Sequence, residues 1–230
     1  MKADSKFRFI LSLIFTTAFC SYAYELVLAG ILSVLWGNVV LQYTITTGVY
    51  IAAMGAGAYF TPVKLNSKKA FIWIEVVLSL LAIAAPLLFV FSDVHSRFIS
   101  LPLCYSLITL IGLLSGMELP LLMQVLARDS SANSKNEKAL FIDYAGMFAA
   151  GILFALFLNR QFGSLTVMLI LALVNLGLAL GCSLFWARGE KQLRRIELPA
   201  LCVLFVVISG GVLINLSAYE ELISKWIIAN

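Results

Sequence analysis

The sequence predicts an all-α polytopic membrane protein, with seven transmembrane helices followed by a short C-terminal interfacial helix. Hydrophobic residues make up 62% of the 230 residues and charged residues only 12%, about half the charged share of an ordinary soluble domain. The charges divide the chain into apolar runs close to the ~20 residues that a helix needs to cross a bilayer. These runs are too long for barrel strands and show no alternation of polar and apolar residues. Composition therefore excludes a soluble globular enzyme and a disordered chain.

The first three predicted spans are bounded by charges and by one short break. After Arg8, only Glu25 introduces a charge into a long apolar run, and Gly37 and Asn38 break this run into two helices. A third apolar run follows Lys69. The predicted spans are residues 9–34, 39–60 and 70–91.

The remaining four spans follow from the same pattern. The fourth run ends before Arg128, with Pro102 in its first turns and Pro120 in its interior. Pro199 stands in the first turn of the last run, where proline is tolerated. The predicted spans are residues 98–127, 139–159, 163–186 and 198–217.

The tail, residues 218–230, is predicted to be an amphipathic helix at the membrane interface. Leu222, Ile223, Trp226 and Ile227 share one helical face. Trp226 suits the headgroup level, where tryptophan is enriched.

Lysine and arginine are distributed unequally between the two predicted sides of the membrane. Thirteen of the 16 fall on the side of the N-terminus, and only Arg97, Arg160 and Lys225 fall on the other. Because cytoplasmic loops carry the positive excess, the sequence predicts a cytoplasmic N-terminus and an external C-terminus. A signal peptide cleaved near Ala23 is the alternative, but the apolar run continues well past that residue, which favours an uncleaved first span.

Four carboxylates lie inside the predicted spans, at Glu25, Glu75, Glu118 and Asp143. No lysine or arginine lies deep in a span, although an ionised carboxylate in hydrocarbon costs at least ~2.5 kcal/mol. Three outcomes remain open for each acid: protonation caused by desolvation, hydrogen bonds from neighbouring helices or water, or a bound cation. All four are therefore candidate cation-binding residues.

The four acids differ in depth along their helices. At 1.5 Å per residue, Asp143, Glu75 and Glu118 lie ~8, ~9 and ~15 Å from the predicted cytoplasmic end, and Glu25 lies ~25 Å from it. If the helices bring the first three together, they form an acidic pocket open to the cytoplasm. The structural alternative is that Glu75 and Asp143 reach headgroup water, or that Asp143 stabilises the start of its helix through the helix dipole. Pro120 is expected to free backbone groups and kink the helix beside Glu118.

Small residues at a spacing of four predict close helix packing. The pairs are Gly112 with Gly116, Gly177 with Gly181, and Ala53 with Gly57. A further set of polar residues within the spans is suited to hydrogen bonds between helices or to lining a cavity: Tyr22, Tyr24, Gln42, Tyr43, Thr44, Thr46, Thr47, Tyr50 and Asn175.

The sequence shows no pattern typical of catalysis or of metal binding. His95 is the single histidine, and the four cysteines lie in apolar stretches, where cysteine behaves as a small hydrophobe. Neither a His/Cys metal site nor a disulfide framework is indicated, and no nucleophile is paired with a base. We expect no catalytic residue, no metal, no cofactor and no nucleic-acid partner.

Several short segments resemble one known family. They are YELVL at 24–28, LQY at 41–43, AMGAGA at 53–58, Glu75, GMELPLLM at 116–123 and DYAG at 143–146. In this order they resemble the seven-helix membrane domain that precedes the spermidine synthase-like (polyamine aminopropyltransferase) domain of bacterial fusion proteins. The membrane acids of that family fall on the same four acids. The resemblance implies a multi-pass protein of the bacterial inner membrane, with polyamine as a candidate ligand of these acids.

The resemblance also shapes the expected function. Such fusion proteins continue into a Rossmann-like catalytic domain that binds decarboxylated S-adenosylmethionine, whereas this chain ends at Asn230 without a Gly-rich strand–turn–helix. We therefore expect a membrane module, non-catalytic by itself, that anchors a separate protein partner or supplies it with polyamine or another cation. The alternative is a small transporter or channel for a cation, a proton or polyamine, although no internal repeat is visible.

Overall fold

The described part of the chain comprises residues 3–62, 66–93, 97–127 and 133–187 of a computed structural model. These residues form a bundle of α-helices with one π-helical turn. The elements are α1 (Ala3–Trp36), α2 (Val39–Phe60), α3 (Ser67–Asp93), α4 (Arg97–Ala127), α5 (Asn133–Leu153), the π-helical turn (Phe154–Leu158) and α6 (Asn159–Ala187).

The prediction of seven separate transmembrane helices is wrong. Five segments of the described chain are long and apolar enough to cross a membrane: Ser5–Trp36, Val39–Phe60, Ser67–Pro86, Ser100–Ala127 and Asn136–Trp186. The predicted spans 139–159 and 163–186 fall within the single apolar segment Asn136–Trp186, whose backbone departs from helical geometry at Gly163. Arg160, the predicted boundary, occupies an exposed helical position three residues before that departure. The predicted span 198–217, the interfacial helix 218–230 and the external C-terminus lie outside the described residues.

The first half of this long segment runs parallel to α1. Gly146 packs against the backbone of Phe15, and Gly151, five residues later, packs against the ring of Tyr22. Residue numbers therefore increase in the same direction along both helices, so α1 and α5 run parallel.

The second half of the segment runs in the opposite direction. Ser164 lies near Gly30, at the far end of α1. Phe185 stacks on Phe9, near the beginning of α1, with ring centroids 3.9 Å apart. The reversal occurs at Gly163, whose φ is 69°, a backbone conformation that glycine adopts without steric cost.

Gly37 and Asn38 separate α1 from α2, at the break expected from the sequence. Both residues have positive φ, 69° and 49°, and asparagine is one of the few non-glycine residues that tolerate this region. The Asn38 side chain accepts a hydrogen bond of 3.2 Å from the backbone N–H of Leu41. Asn38 therefore caps α2 as well as allowing the turn.

α1 occupies the centre of the described bundle and contacts all five other α-helices. Its buried residues include Ile14, Leu28 and Leu32. In contrast, α2 lies at the outside and exposes large apolar side chains such as Val40 and Ile51. An exposed apolar face of this extent is unusual for a protein in water and typical of a surface that contacts lipid or another protein.

Glycines bring the backbones of α2 and α4 into contact. A Cβ atom at Gly116 would collide with the backbone of Met54, and one at Gly57 would collide with the backbone of α4. A Cβ atom at Gly112 would lie 3.0 Å from the carbonyl oxygen of Tyr50. The close approach expected for Gly57, Gly112 and Gly116 is thus present.

The second predicted glycine pair does not pack in this way. Around Gly177 and Gly181, no atom of the described chain lies within 4 Å of the position that a Cβ would take. Both residues are exposed, whereas Leu176, Ala179 and Cys182 form the buried face of α6. The described residues thus provide no packing partner for this pair, and its packing role stays a prediction, because a spacing of four identifies one face of a helix but not what covers that face.

Candidate functional site

A partly open cavity of about 490 Å³ is lined by residues of α1, α2, α4 and α5. Three of the four predicted acids, Glu25, Glu118 and Asp143, contribute to its wall. Most of the remaining wall is apolar, including Ile51, Met54, Leu119, Met123 and Met147. The cavity therefore combines carboxyl groups with flexible apolar surface.

The three acids are almost completely buried. Glu25 is 2% exposed, Glu118 is 4% exposed and Asp143 is 7% exposed. The ionisable groups that act electrostatically on Glu118 are the carboxyl groups of Glu75 and Asp143. No lysine or arginine belongs to the described cavity wall, so this part of the chain supplies no cation to balance the acids.

Glu25 has a defined hydrogen-bond partner on the neighbouring helix. The side chain of Thr47 in α2 donates a hydrogen bond to its carboxylate. Thr47 was among the polar residues expected to form hydrogen bonds between helices. This bond leaves the second carboxylate oxygen of Glu25 with further acceptor capacity, since an ionised carboxylate offers about four acceptor sites.

The three cavity acids lie at different heights along α1. Asp143 precedes Gly146, which packs against Phe15, so it lies near that level of α1. Glu25 is ten residues beyond Phe15, or ~15 Å at 1.5 Å per residue. Ser115, three residues before Glu118, is linked through the Tyr50 hydroxyl to Ser21 of α1. This link places Glu118 at a height between those of Asp143 and Glu25. The acids therefore form a column along the bundle axis.

A hydrogen-bonded trio connects three helices beside the cavity. The Tyr50 hydroxyl donates to Ser115 Oγ over 3.1 Å and lies 3.2 Å from Ser21 Oγ. The sequence singled out Tyr50 but not Ser21 or Ser115. The available signal was spacing: Ser21 lies four residues before Glu25, and Ser115 three before Glu118, which places each serine on the same helical face as an acid.

Replacing Tyr50 with phenylalanine should destabilise the bundle by ~1–3 kcal/mol, because the buried Ser115 hydroxyl loses its partner and the Ser21 hydroxyl keeps only the weak acceptor Met54 Sδ. Thermal unfolding of the detergent-solubilised protein measures this change. Tyr59→Phe is the matched control, since Tyr59 is 83% exposed. Equal melting temperatures for the two variants would show that the trio contributes nothing to stability.

Glu75 does not belong to the wall of this cavity. Its side chain has no exposed surface, and no group of the described chain forms a hydrogen bond with either carboxyl oxygen. Its electrostatic neighbours include Cys20 and Tyr24 of α1 and Cys182 of α6. The expected pocket of Glu75, Glu118 and Asp143 is therefore present only in part: Glu118 and Asp143 line the cavity together with Glu25, whereas Glu75 lies outside its wall but interacts electrostatically with Glu118.

Two further expectations about the acids are corrected. α5 begins at Asn133, ten residues before Asp143, so Asp143 does not stabilise the start of its helix. α4 continues as one α-helix through Pro102 and Pro120, so neither proline ends the helix, although Pro120 has no N–H to donate to the carbonyl of Gly116. Neighbouring helices can satisfy the backbone groups that a proline frees in a membrane helix.

The separation of the acids along the bundle determines whether they can bind a compact metal ion or an extended organic cation. Among the described residues, no group of three His, Cys, Asp or Glu side chains is close enough to hold one metal ion. A compact metal ion would therefore meet at most two carboxyl groups. An extended cation with several positive centres matches the column better.

Comparison with known proteins gives several relatives named polyamine aminopropyltransferase. The chain is 28% identical over 208 residues to one from Leptospira interrogans, covering 90% of this chain and 40% of the relative. It is 34% identical over 172 residues to polyamine aminopropyltransferase 1 of Streptomyces coelicolor, covering 73% and 32%. It is 32% identical over 170 residues to polyamine aminopropyltransferase 2 of Ralstonia nicotianae, covering 72% and 33%.

The names of these relatives support the resemblance of this chain to a polyamine-related family. The matches cover most of this chain, which nevertheless spans only about a third to two fifths of the length of these relatives. No protein-family model matches the chain. No solved structure matches it either.

Proposed function

We propose that this chain is a membrane module that binds a linear polyamine, or a similar organic polycation, in the cavity between α1, α2, α4 and α5. The observation that carries the proposal is the column of three buried acids, Glu25, Glu118 and Asp143, in one cavity whose described wall has no basic residue. The name of the relatives, polyamine aminopropyltransferase, supports the choice of polyamine among organic cations.

The chemistry of the cavity suits such a ligand. A linear polyamine carries ammonium groups separated by methylene segments. Ammonium groups form charge-assisted hydrogen bonds with carboxylates, and the methylene segments can lie against the methionine side chains Met54, Met123 and Met147, which adapt to irregular apolar surfaces. Acids at three heights along ~15 Å of helix then face successive ammonium groups.

We further propose that the module lies in a bacterial inner membrane with its N-terminus in the cytoplasm. The five long apolar segments and the excess of lysine and arginine on the N-terminal side support this placement. In that setting the module anchors a protein partner or supplies it with the bound cation. A partner that consumes polyamine fits the names of the relatives.

Binding is tested directly with spermidine and a matched monoamine, butylamine. Spermidine should raise the melting temperature of the detergent-solubilised protein, because a ligand that binds only the folded state stabilises it, by ~2.7 kcal/mol at a concentration 100 times Kd. Butylamine engages one acid instead of several and should give a much smaller shift. If neither amine shifts the melting temperature, and isothermal titration also detects no heat, the cavity is not a polyamine site.

Transport of the cation is the second candidate function. The observation that favours it is the spread of the acids over ~15 Å of the bundle axis, which offers successive sites along a path. Proteoliposomes that contain the chain alone should then take up labelled spermidine. Binding without uptake would leave the anchoring and supplying role in place and remove the transport alternative.

A further inference from the structure

Glu75 lies among buried polar atoms that have no partner in the described structure. Besides its two carboxyl oxygens, these atoms include the hydroxyl groups of Tyr24 and Ser79. All three residues are at most 1% exposed. Ser79 follows Glu75 by one turn of α3 and so shares its face, while Tyr24 on α1 interacts electrostatically with Glu75. A buried polar group without a partner is costly, so this cluster requires a ligand such as a proton or water.

The register of α3 and α4 places Glu75 close to Glu118. Ser67 of α3 donates a hydrogen bond of 2.8 Å to Gln124 of α4. These helices are consecutive and antiparallel, so Glu75, eight residues after Ser67, lies opposite the residue eight before Gln124, within one turn of Glu118. The two carboxyl groups also interact electrostatically. Glu118 thus has the cavity on one side and Glu75 on the other.

Two neighbouring carboxyl groups in a site without a basic residue do not both ionise, because like charges at low dielectric repel strongly. The ionisable groups that interact electrostatically with one or both glutamates are Cys20 and Tyr24 on α1, Cys182 on α6 and Asp143 on α5. None of these groups supplies a positive charge. One proton held by the two glutamates removes the repulsion while leaving one negative charge for a ligand.

We propose that Glu75 and Glu118 share one proton, and that a cation bound in the cavity moves this proton from Glu118 to Glu75. The O–H bond at the Glu118 carboxyl breaks, an O–H bond forms at a Glu75 oxygen, and the negative charge remains on Glu118, facing the cation. No proton is lost to solvent and nothing is oxidised or reduced. Since Glu75 has no hydrogen bond to Glu118 in this structure, the proton crosses by rotation of a side chain or through one water molecule.

The step is visible in the infrared difference spectrum of the full chain with and without spermidine. In the wild type, the carboxylic-acid C=O band of Glu118 should disappear and a new acid band from Glu75 should appear. Glu75→Gln keeps the shape and removes the acceptor of the proton, so neither the loss from Glu118 nor the gain from Glu75 should appear. Ser79→Ala, one turn away in the same cluster, should keep both bands.

The possible results separate this inference from the proposed function, on which it rests. If spermidine binds but the wild type and Glu75→Gln give the same difference spectrum, proton transfer is excluded while polyamine binding stands. If spermidine does not bind the wild type at all, the proposed function fails and this inference fails with it. If Glu75→Gln does not fold, Glu75→Asp takes its place: the gained band must then change in frequency, and an unchanged band contradicts the transfer.

Discussion

Replacing Gly116 with leucine should prevent the bundle from assembling. At this position even a Cβ atom collides with the backbone of Met54, and a backbone cannot move aside as the end of a flexible side chain can. Overpacking a core typically costs ~1–3 kcal/mol when side chains can adjust, so a collision with backbone should cost more. Gly116→Ala, which adds only the Cβ, should fold with a lowered melting temperature, while Gly116→Leu should yield little monodisperse protein in mild detergent.

Gly48 provides the matched control for this substitution. It lies on α2, and no atom of the described chain is within 4 Å of the position of its Cβ. Gly48→Leu should therefore give nearly the wild-type yield and melting temperature. If Gly116→Leu and Gly48→Leu behave alike, the contact between α2 and α4 does not hold the bundle together.

Replacing Glu118 with glutamine should abolish most of the affinity for spermidine. Glutamine keeps the shape and the hydrogen-bonding capacity of the side chain but removes its charge. A hydrogen bond to a charged group contributes ~1.5–3 kcal/mol, which corresponds to a loss of affinity of roughly 10- to 150-fold. Isothermal titration measures the affinity, and thermal unfolding shows whether the variant is still folded.

Two variants separate a binding role of Glu118 from a structural one. Glu137→Gln makes the same chemical change at an exposed position of α5 and should leave the affinity unchanged. Glu118→Ala should destabilise the protein as well as weaken binding, because it leaves a gap in the cavity wall. A Glu118→Gln variant with wild-type affinity for spermidine would remove Glu118 from the binding site.

The sequence predicts where helices lie along the chain better than it predicts how many separate spans they form. α2 begins and ends where the apolar run between Asn38 and Thr61 predicts, because a capping residue and a turn mark its start. The helix count differs because the two predicted spans on either side of Arg160 form one long apolar segment that changes direction at Gly163. A charge marks an interruption in an apolar run, whereas the backbone remains helical through the exposed Arg160 and changes direction at a glycine instead.

For the site, the identity of the buried acids was predictable and their grouping was not. The cost of burying a carboxylate singles out Glu25, Glu75, Glu118 and Asp143, and all four are buried. Depth along a helix also follows from residue number. Which face of a helix turns toward which neighbour depends on the packing of the whole bundle, so that Glu25 joined the cavity while Glu75 turned toward α1 and α6.

The parallel packing of α1 and α5 has a consequence for biosynthesis. α1 leaves the ribosome first, yet the partner that covers Phe15 and Tyr22 is Gly146 and Gly151, more than a hundred residues later in the chain. During that interval the polar face of α1, with Glu25, has no α5 beside it, and segments that wait for distant partners are prone to misassembly. An insertase or chaperone that shields this face until α5 has been synthesised should therefore raise the yield of folded protein.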